Sequence, residues 1–212
     1  MADFDCIAKY FPDLPLEHIE SLKALGTLYE SWNQRINLVS RKDMDKLYLH
    51  HILHSLSIAR FVKFKPGARI LDIGTGGGLP GLPLAIIFPE TSFSLIDSIG
   101  KKINAVSDMA KTLQLSNVEA VQIRAENWTG KIDFALSRAV APLDKLMHWA
   151  NPLFMKKEIH AIPNGLICLK GGDLDAEIKT LNRRTYVEKI PLREWYNEPF
   201  YAEKYLVYAQ AY

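Results

Sequence analysis

The chain has 212 residues, 48% apolar and 24% charged, with 26 Lys and Arg against 24 Asp and Glu. Those proportions suit one globular α/β unit with an elaboration and exclude collagen-like repeats and long disordered tracts. A net charge of +2 carries no whole-chain signature of a nucleic-acid binder, and the two cysteines, Cys6 and Cys168, lack metal-ligand or disulfide-framework spacing.

The start, MADFDCIAKY, is acidic where a signal peptide is basic, so a cytoplasmic setting is expected. From Glu17, apolar residues at Ile19, Leu22, Leu25, Leu28, Tyr29 and Trp32 paint one helix face. A second amphipathic helix is expected from about Asp43 to Val62, with Leu47, Leu49, Ile52, Leu53, Leu56 and Ile58 inward. Pro66-Gly67 closes this region. Residues 1–66 are therefore read as a helical N-terminal extension and residues 67–212 as a second unit.

That unit alternates strand and helix. Strands are expected at Arg69–Ile73, Ser92–Asp97, Val118–Ile123, Lys131–Ser137 and Gly165–Lys170. Helices are expected at Gly81–Phe88, Lys101 to Leu113, Pro142–Lys156 and Asp173 to Asn182. Two last strands, near Tyr186–Ile190 and Lys204–Ala209, suit an antiparallel pair. Repeated βα units predict a doubly wound, mostly parallel sheet. The apolar run at Leu84–Phe88 is bracketed by prolines and far below the ~20 residues of a membrane span.

The strongest local signal is Leu71-Asp72-Ile73-Gly74-Thr75-Gly76-Gly77-Gly78-Leu79-Pro80-Gly81. Glycines after a strand allow positive φ and close approach to a ligand, and the next helix is expected to turn its free N–H groups towards that ligand. A purely structural turn is an expensive use of five glycines. A dinucleotide loop fits Gly76-x-Gly78-x-x-Gly81 literally, but the strand ends at Ile73, and from Gly74 the last glycine position falls on Leu79. The third reading is the nucleoside loop of S-adenosylmethionine methyltransferases, with Asp72 at the strand end and Gly74, Gly76 and Gly78 as the pattern. Asp97, at the end of the second strand, is placed to accept hydrogen bonds from ribose hydroxyls. A β-branched side chain at Gly74 is expected to project against such a cofactor.

Further blocks carry a family resemblance: WNQRINLVSRKD (32–43), HHILHSL (50–56), IDSIGKK (96–102), NVEAVQIRAE (117–126), SRAVAPL (137–143) and LKGG (169–172). With the glycine loop, they resemble the small-subunit ribosomal RNA guanine-N7 methyltransferases, also called glucose-inhibited division protein B. The resemblance implies a class I S-adenosylmethionine-dependent methyltransferase fold, Rossmann-like and doubly wound, with a mostly parallel seven-stranded sheet. It implies N7 methylation of a guanine in the 530 loop of 16S rRNA, with S-adenosylhomocysteine as product and the small ribosomal subunit as partner. By position, Asp72, Gly74, Thr75, Gly76, Gly78, Leu79, Asp97, Ala125, Glu126 and Arg138 are the expected cofactor residues. Arg138 is also the candidate positioning or electrostatic residue at the chemistry.

Guanine N7 has no proton to lose, so no general base is expected, and no acid–base pair stands out. Residues 31–66 carry 7 basic against 2 acidic side chains, so the RNA face is expected there, with Arg35, Arg41, Lys42, Lys46 and His51 as contacts; Lys170 reads equally as an RNA contact or a structural cap. His50 and His54 are four apart on a helix but lack a third ligand, and no metal is expected. The family usually has Asp where this chain has His54, a position read as interdomain or RNA-side packing. A monomer suffices for this reading. The alternatives are a methyltransferase acting on a small molecule or protein, and a non-catalytic RNA-binding or assembly factor on the same fold.

Overall fold

The computed structural model describes residues 4–211. Seven strands, β1 (Arg69–Ile73), β2 (Ser92–Asp97), β3 (Val118–Gln122), β4 (Phe134–Arg138), β5 (Gly165–Gly171), β6 (Thr185–Pro191) and β7 (Lys204–Ala211), form one sheet in the order β3-β2-β1-β4-β5-β7-β6. The first five run parallel and β7 inserts antiparallel between β5 and β6. Chain order reverses between β1 and β4, and in such sheets ligands collect beyond the strand ends at that point.

Helices cover both faces, because strand side chains alternate with a period of two. In β5, Ile167 and Leu169 join one core while Leu166 and Cys168 join the other; in β7, Leu206 and Tyr208 oppose Val207 and Ala209 in the same way. The first face receives α1 (Asp5–Tyr10), α2 (Leu16–Asn33), α3 (Leu53–Phe61), α4 (Gly81–Ile87) and α5 (Gly100–Thr112). The second receives α6 (Leu143–Ala150) and the flank of α7 (Asp175–Lys179). Residues before 67 share the first core with the sheet: Leu22, Leu25, Tyr29, Ile52 and Leu56 are fully buried in it.

The helix expected over 43–62 is broken into a 3-10 turn at Arg41–Lys46, a π turn at Tyr48–Ile52 and α3. The π turn adds a residue to one helical turn and shifts the phase of the side chains around it. The helix expected to Lys156 ends at Ala150, followed by a 3-10 turn at Asn151–Leu153 with Pro152 inside it. The helix expected over 173–182 is confined to α7. No helix among the described residues is long and apolar enough to cross a membrane.

Candidate active site

A cavity of about 550 Å³ opens at the carboxyl ends of β1, β2 and β4. Its wall includes Gly74, Thr75, Gly76, Leu79, Asp97, Ala125, Glu126 and Arg138, all expected from the sequence. Leu38, Gly77, Lys102 and Val140 also line it and were not expected.

The loop after β1 is held from behind. Asp72 is fully buried. Its Oδ2 accepts from Thr75 Oγ1 at 2.6 Å and from the Gly81 N–H at 2.9 Å. Asp72 is thus absent from the cavity wall, as is Gly78, whose Cα faces Leu82 and Val106. Asp72 is corrected from a wall residue to a loop brace. The expectation that α4 offers free N–H groups to a ligand is corrected too: Asp72 takes that of Gly81, and the Gly78 carbonyl takes that of Leu82 at 2.7 Å. Burial is the main influence on Asp72, pushing its carboxyl up to about 7 against the pull of the Thr75 and Gly81 hydrogen bonds.

On the cavity side the loop is open. Gly76 has φ +58, and a Cβ built there meets nothing nearer than the Gly74 carbonyl oxygen at 3.9 Å and Lys102 Nζ at 4.0 Å. Asp97 Oδ2 accepts the Gly76 N–H and Oδ1 the Ile99 N–H, each at 2.9 Å. A carboxylate has roughly four lone-pair sites, so both oxygens retain capacity towards the cavity.

The helical segment before β1 completes the site. The Tyr29 hydroxyl, inside α2, donates to the Gly77 carbonyl at 2.7 Å. Asn33 accepts the N–H groups of Leu38 and Val39 at 2.8 and 3.0 Å and donates to the Val39 carbonyl at 2.8 Å. That turn lays Leu38 against Gly77, with its Cβ 3.1 Å from where a Gly77 Cβ would stand. Trp32 Nε1 donates to Asp108 Oδ2 at 2.9 Å, tying α2 to α5.

Arg138, at the end of β4, lines the cavity with its guanidinium turned towards the π turn. Nη2 is 3.0 Å from His51 Nδ1, and Nη1 donates to the His50 carbonyl at 3.5 Å. Burial lowers the Arg138 pKa, partly offset by Tyr29 and Asp72. His51, expected on an RNA face, is corrected to this inner contact; its side chain is 14% exposed. Of the two readings of Lys170, the contacts favour the structural one over RNA: its ammonium donates to the Ala141 carbonyl at 2.7 Å and pairs with Glu177, leaving 9% of its side chain exposed. For His54 the contacts agree with packing between the 1–66 segment and the later unit, not with an RNA side. It is buried with its ring edge-on to Phe200 and Tyr201, and its Nε2 has no partner. Arg35, Arg41, Lys42 and Lys46 are exposed. Among the described residues no group of three His, Cys, Asp or Glu is arranged to hold a metal ion.

The sequence profile described as rRNA small subunit methyltransferase G matches residues 18–195. A Bacteroides thetaiotaomicron protein named Ribosomal RNA small subunit methyltransferase G is 47% identical over 206 residues, covering 97% of this chain and 99% of its own. A protein of the same name from Cytophaga hutchinsonii is 46% identical over 206 residues, with the same coverage of each chain. Among solved structures, a SAM-dependent methyltransferase from Aquifex aeolicus aligns with TM-score 0.56 at 14% identity, over 74% of this chain and 89% of its own. A precorrin-6y C5,15-methyltransferase from Geobacter metallireducens aligns with TM-score 0.56 at 11% identity, over 84% and 92%. At such identities the structural likeness speaks for the fold.

Proposed function

Because this chain belongs to the rRNA small subunit methyltransferase G family, we propose that it transfers a methyl group from S-adenosylmethionine to 16S rRNA of the small ribosomal subunit. The proposed target is N7 of a guanine in the 530 loop. The observation that carries the reading is the cavity wall where an open glycine loop meets the Asp97 carboxylate.

The residues present fit the cofactor. Gly76 leaves clear the space a side chain would take, and Asp97 keeps acceptor capacity for a ribose diol. Ile96, Ile123 and Ala125 offer an apolar wall for a purine, with the Glu126 carboxylate beside it. S-adenosylmethionine supplies, when bound, an electrophilic methyl group on a sulfonium, open to in-line attack.

The chain's own task follows from the nucleophile. Guanine N7 has an in-plane lone pair and no proton to lose, so no residue has to act as a base. Leu38, Val140 and the glycine loop shape the cavity, and Arg138 sets its electrostatic field. Holding reactants in one geometry and fixing dipoles in advance lower such a barrier without proton transfer. The exposed Arg35, Arg41, Lys42 and Lys46 belong to the segment that supplies Leu38, which places candidate phosphate contacts on chain contiguous with the cavity wall.

The test is incubation with methyl-labelled S-adenosylmethionine and either naked 16S rRNA or small subunits, followed by mapping of the labelled base. Label at guanine N7 in the 530 loop is the expected result. Label confined to protein or small metabolites overturns the reading. Arg138→Ala is expected to lower transfer at least tenfold while retaining the thermal transition of the fold.

A further inference from the structure

We propose that His51, backed by Asp43, is a positioning residue that fixes Arg138 at the cavity through a hydrogen bond of defined direction. The role assigned to Arg138 rests on the reading above; the geometry of the contact does not.

The direction follows from the inventory of donors. A guanidinium has only donors, so in the 3.0 Å contact between Arg138 Nη2 and His51 Nδ1 the arginine donates and Nδ1 is bare. The imidazole is then the neutral tautomer with its proton on Nε2. That nitrogen faces Asp43 Oδ2 at 3.5 Å without a hydrogen bond, an arrangement in which the carboxylate favours the Nε2–H tautomer electrostatically. Asp43 is itself anchored, with Oδ1 3.1 Å from His50 Nδ1. The His50 ring in turn stacks on Phe200 at 3.9 Å and 11°.

The groups facing His51 come from three places: Arg138 from β4, Asp43 from the turn at 41–46, and His50 from its own turn. Burial and the Arg138 charge hold the imidazole neutral, pushing its pKa down to about 4, while Asp43 opposes them. Protonation would set an N–H against the guanidinium and break the contact.

This pairing is unusual for a half-buried arginine, whose ordinary partner is a carboxylate. Among the described residues no carboxylate forms an ion pair with Arg138. A neutral acceptor orients the guanidinium and leaves its charge uncompensated at the cavity wall; a directly bonded carboxylate would orient it and cancel that charge. Asp43 acts at one remove, from the turn that also carries Arg41, Lys42 and Lys46.

Nitrogen-15 NMR of histidine in the full chain tests the contact without any substrate. His51 is expected as the neutral Nε2–H tautomer at pH 6, titrating below pH 5. An ordinary titration near 6.5, or the Nδ1–H tautomer, overturns the proposal whatever the enzyme methylates. A double-mutant cycle tests the role. His51→Leu is expected to lower kcat at least tenfold with little change in KM for rRNA, and to have no further effect in an Arg138→Met background. His51→Asn, which keeps an acceptor near the Nδ1 position, is expected to recover much of the loss. Additive losses, or a His51→Leu enzyme of wild-type kcat and unchanged melting temperature, overturn it. If the wild-type chain leaves rRNA unlabelled, the reading above fails on its own account. The same cycle is then run on calorimetric affinity for S-adenosylmethionine, where additivity again counts against His51 acting through Arg138.

Discussion

Gly74→Ala separates two costs that the cavity wall places in one residue. The first is conformational. Gly74 has φ +68, and a residue with a Cβ is destabilised there by about 1–2 kcal/mol. The second is a collision. The added Cβ would stand 2.6 and 2.7 Å from the Val140 Cγ atoms and 3.2 Å from its Cβ, whereas carbon atoms settle at ~3.5–4.0 Å. Val140 is 45% exposed and can yield, so the collision should cost the fold little. The fall in melting temperature should then follow the φ cost, about 2–8 °C at ~2–4 °C per kcal/mol for a chain of this size. Val140 yields on the cavity wall, however, so affinity for S-adenosylmethionine should fall at least tenfold, about 1.4 kcal/mol. Val140→Ala alone should leave stability within about 0.5 kcal/mol. Combined with Gly74→Ala it leaves only the 3.2 Å contact and should restore most of the affinity, but none of the melting temperature. Calorimetric titration and thermal unfolding of the four proteins read both quantities. A Gly74→Ala protein that binds like wild type, or a double variant that binds no better than the single, refutes the reasoning. Within the chain itself, a Cβ at Gly74 meets Val140 before anything else, so the effect on a cofactor is expected to pass through Val140 as well as through direct contact.

Tyr29→Phe strips the Gly77 carbonyl of its buried donor and should cost about 1–3 kcal/mol in urea unfolding; an unchanged midpoint would show that the loop is not pinned from α2. Lys170→Met breaks the pair with Glu177 and should destabilise the fold while leaving rRNA affinity unchanged; weaker RNA binding at full stability would return Lys170 to the RNA face. For Asp72, burial raises the folded carboxyl to about 7 from an ordinary 3.8, so the folded chain keeps a proton that the unfolded chain releases. The resulting stability is fully present below about pH 4 and lost as pH rises to about 7, a difference on the order of 4 kcal/mol. Asp72→Asn should remove that part of the slope between about pH 4 and 7; an identical slope would show that other groups carry it.

The sheet was legible because its signals are local. A short apolar run such as Leu166, Ile167, Cys168 and Leu169, bounded by glycines, needs only the chain itself, and Pro66-Gly67 and the glycine loop mark the turns. The turn types within 41–61 were not legible, since a π turn keeps the apolar residues that suggest a regular helix. Lys102 illustrates a different limit. Beside Lys101 it reads as part of a solvated face, yet about 100° of helical rotation between neighbours puts Lys101 outside and Lys102 on the cavity wall. Its place in the first turn after Asp97 was the available signal. In the sequence His51 reads as an RNA-facing residue and Lys170 stays undecided because their partners, Arg138 and Glu177, are fixed by tertiary structure. Asp72 was recognisable as an acid at a strand end, but only burial on both faces of β1 shows that it serves the loop from behind.

The near-neutral charge of the chain conceals a division of labour within one short segment. Residues 31–66 hold 7 basic and 2 acidic side chains, and the structure sorts them by what they touch. Arg35, Arg41, Lys42 and Lys46 stay exposed, while Leu38 walls the cavity and Asp43 and His51 turn inward towards Arg138. A separate RNA-binding module would leave the cavity intact when displaced, but here displacement removes Leu38 from Gly77 and His51 from Arg138. On the proposed reading, cofactor and rRNA meet one folded segment through different residues, and linkage then requires each ligand to alter the other's binding by the same factor wherever that segment moves. The +2 of the whole chain is uninformative because these exposed cations are a minority, carried by the same segment that supplies Leu38 to the cavity wall.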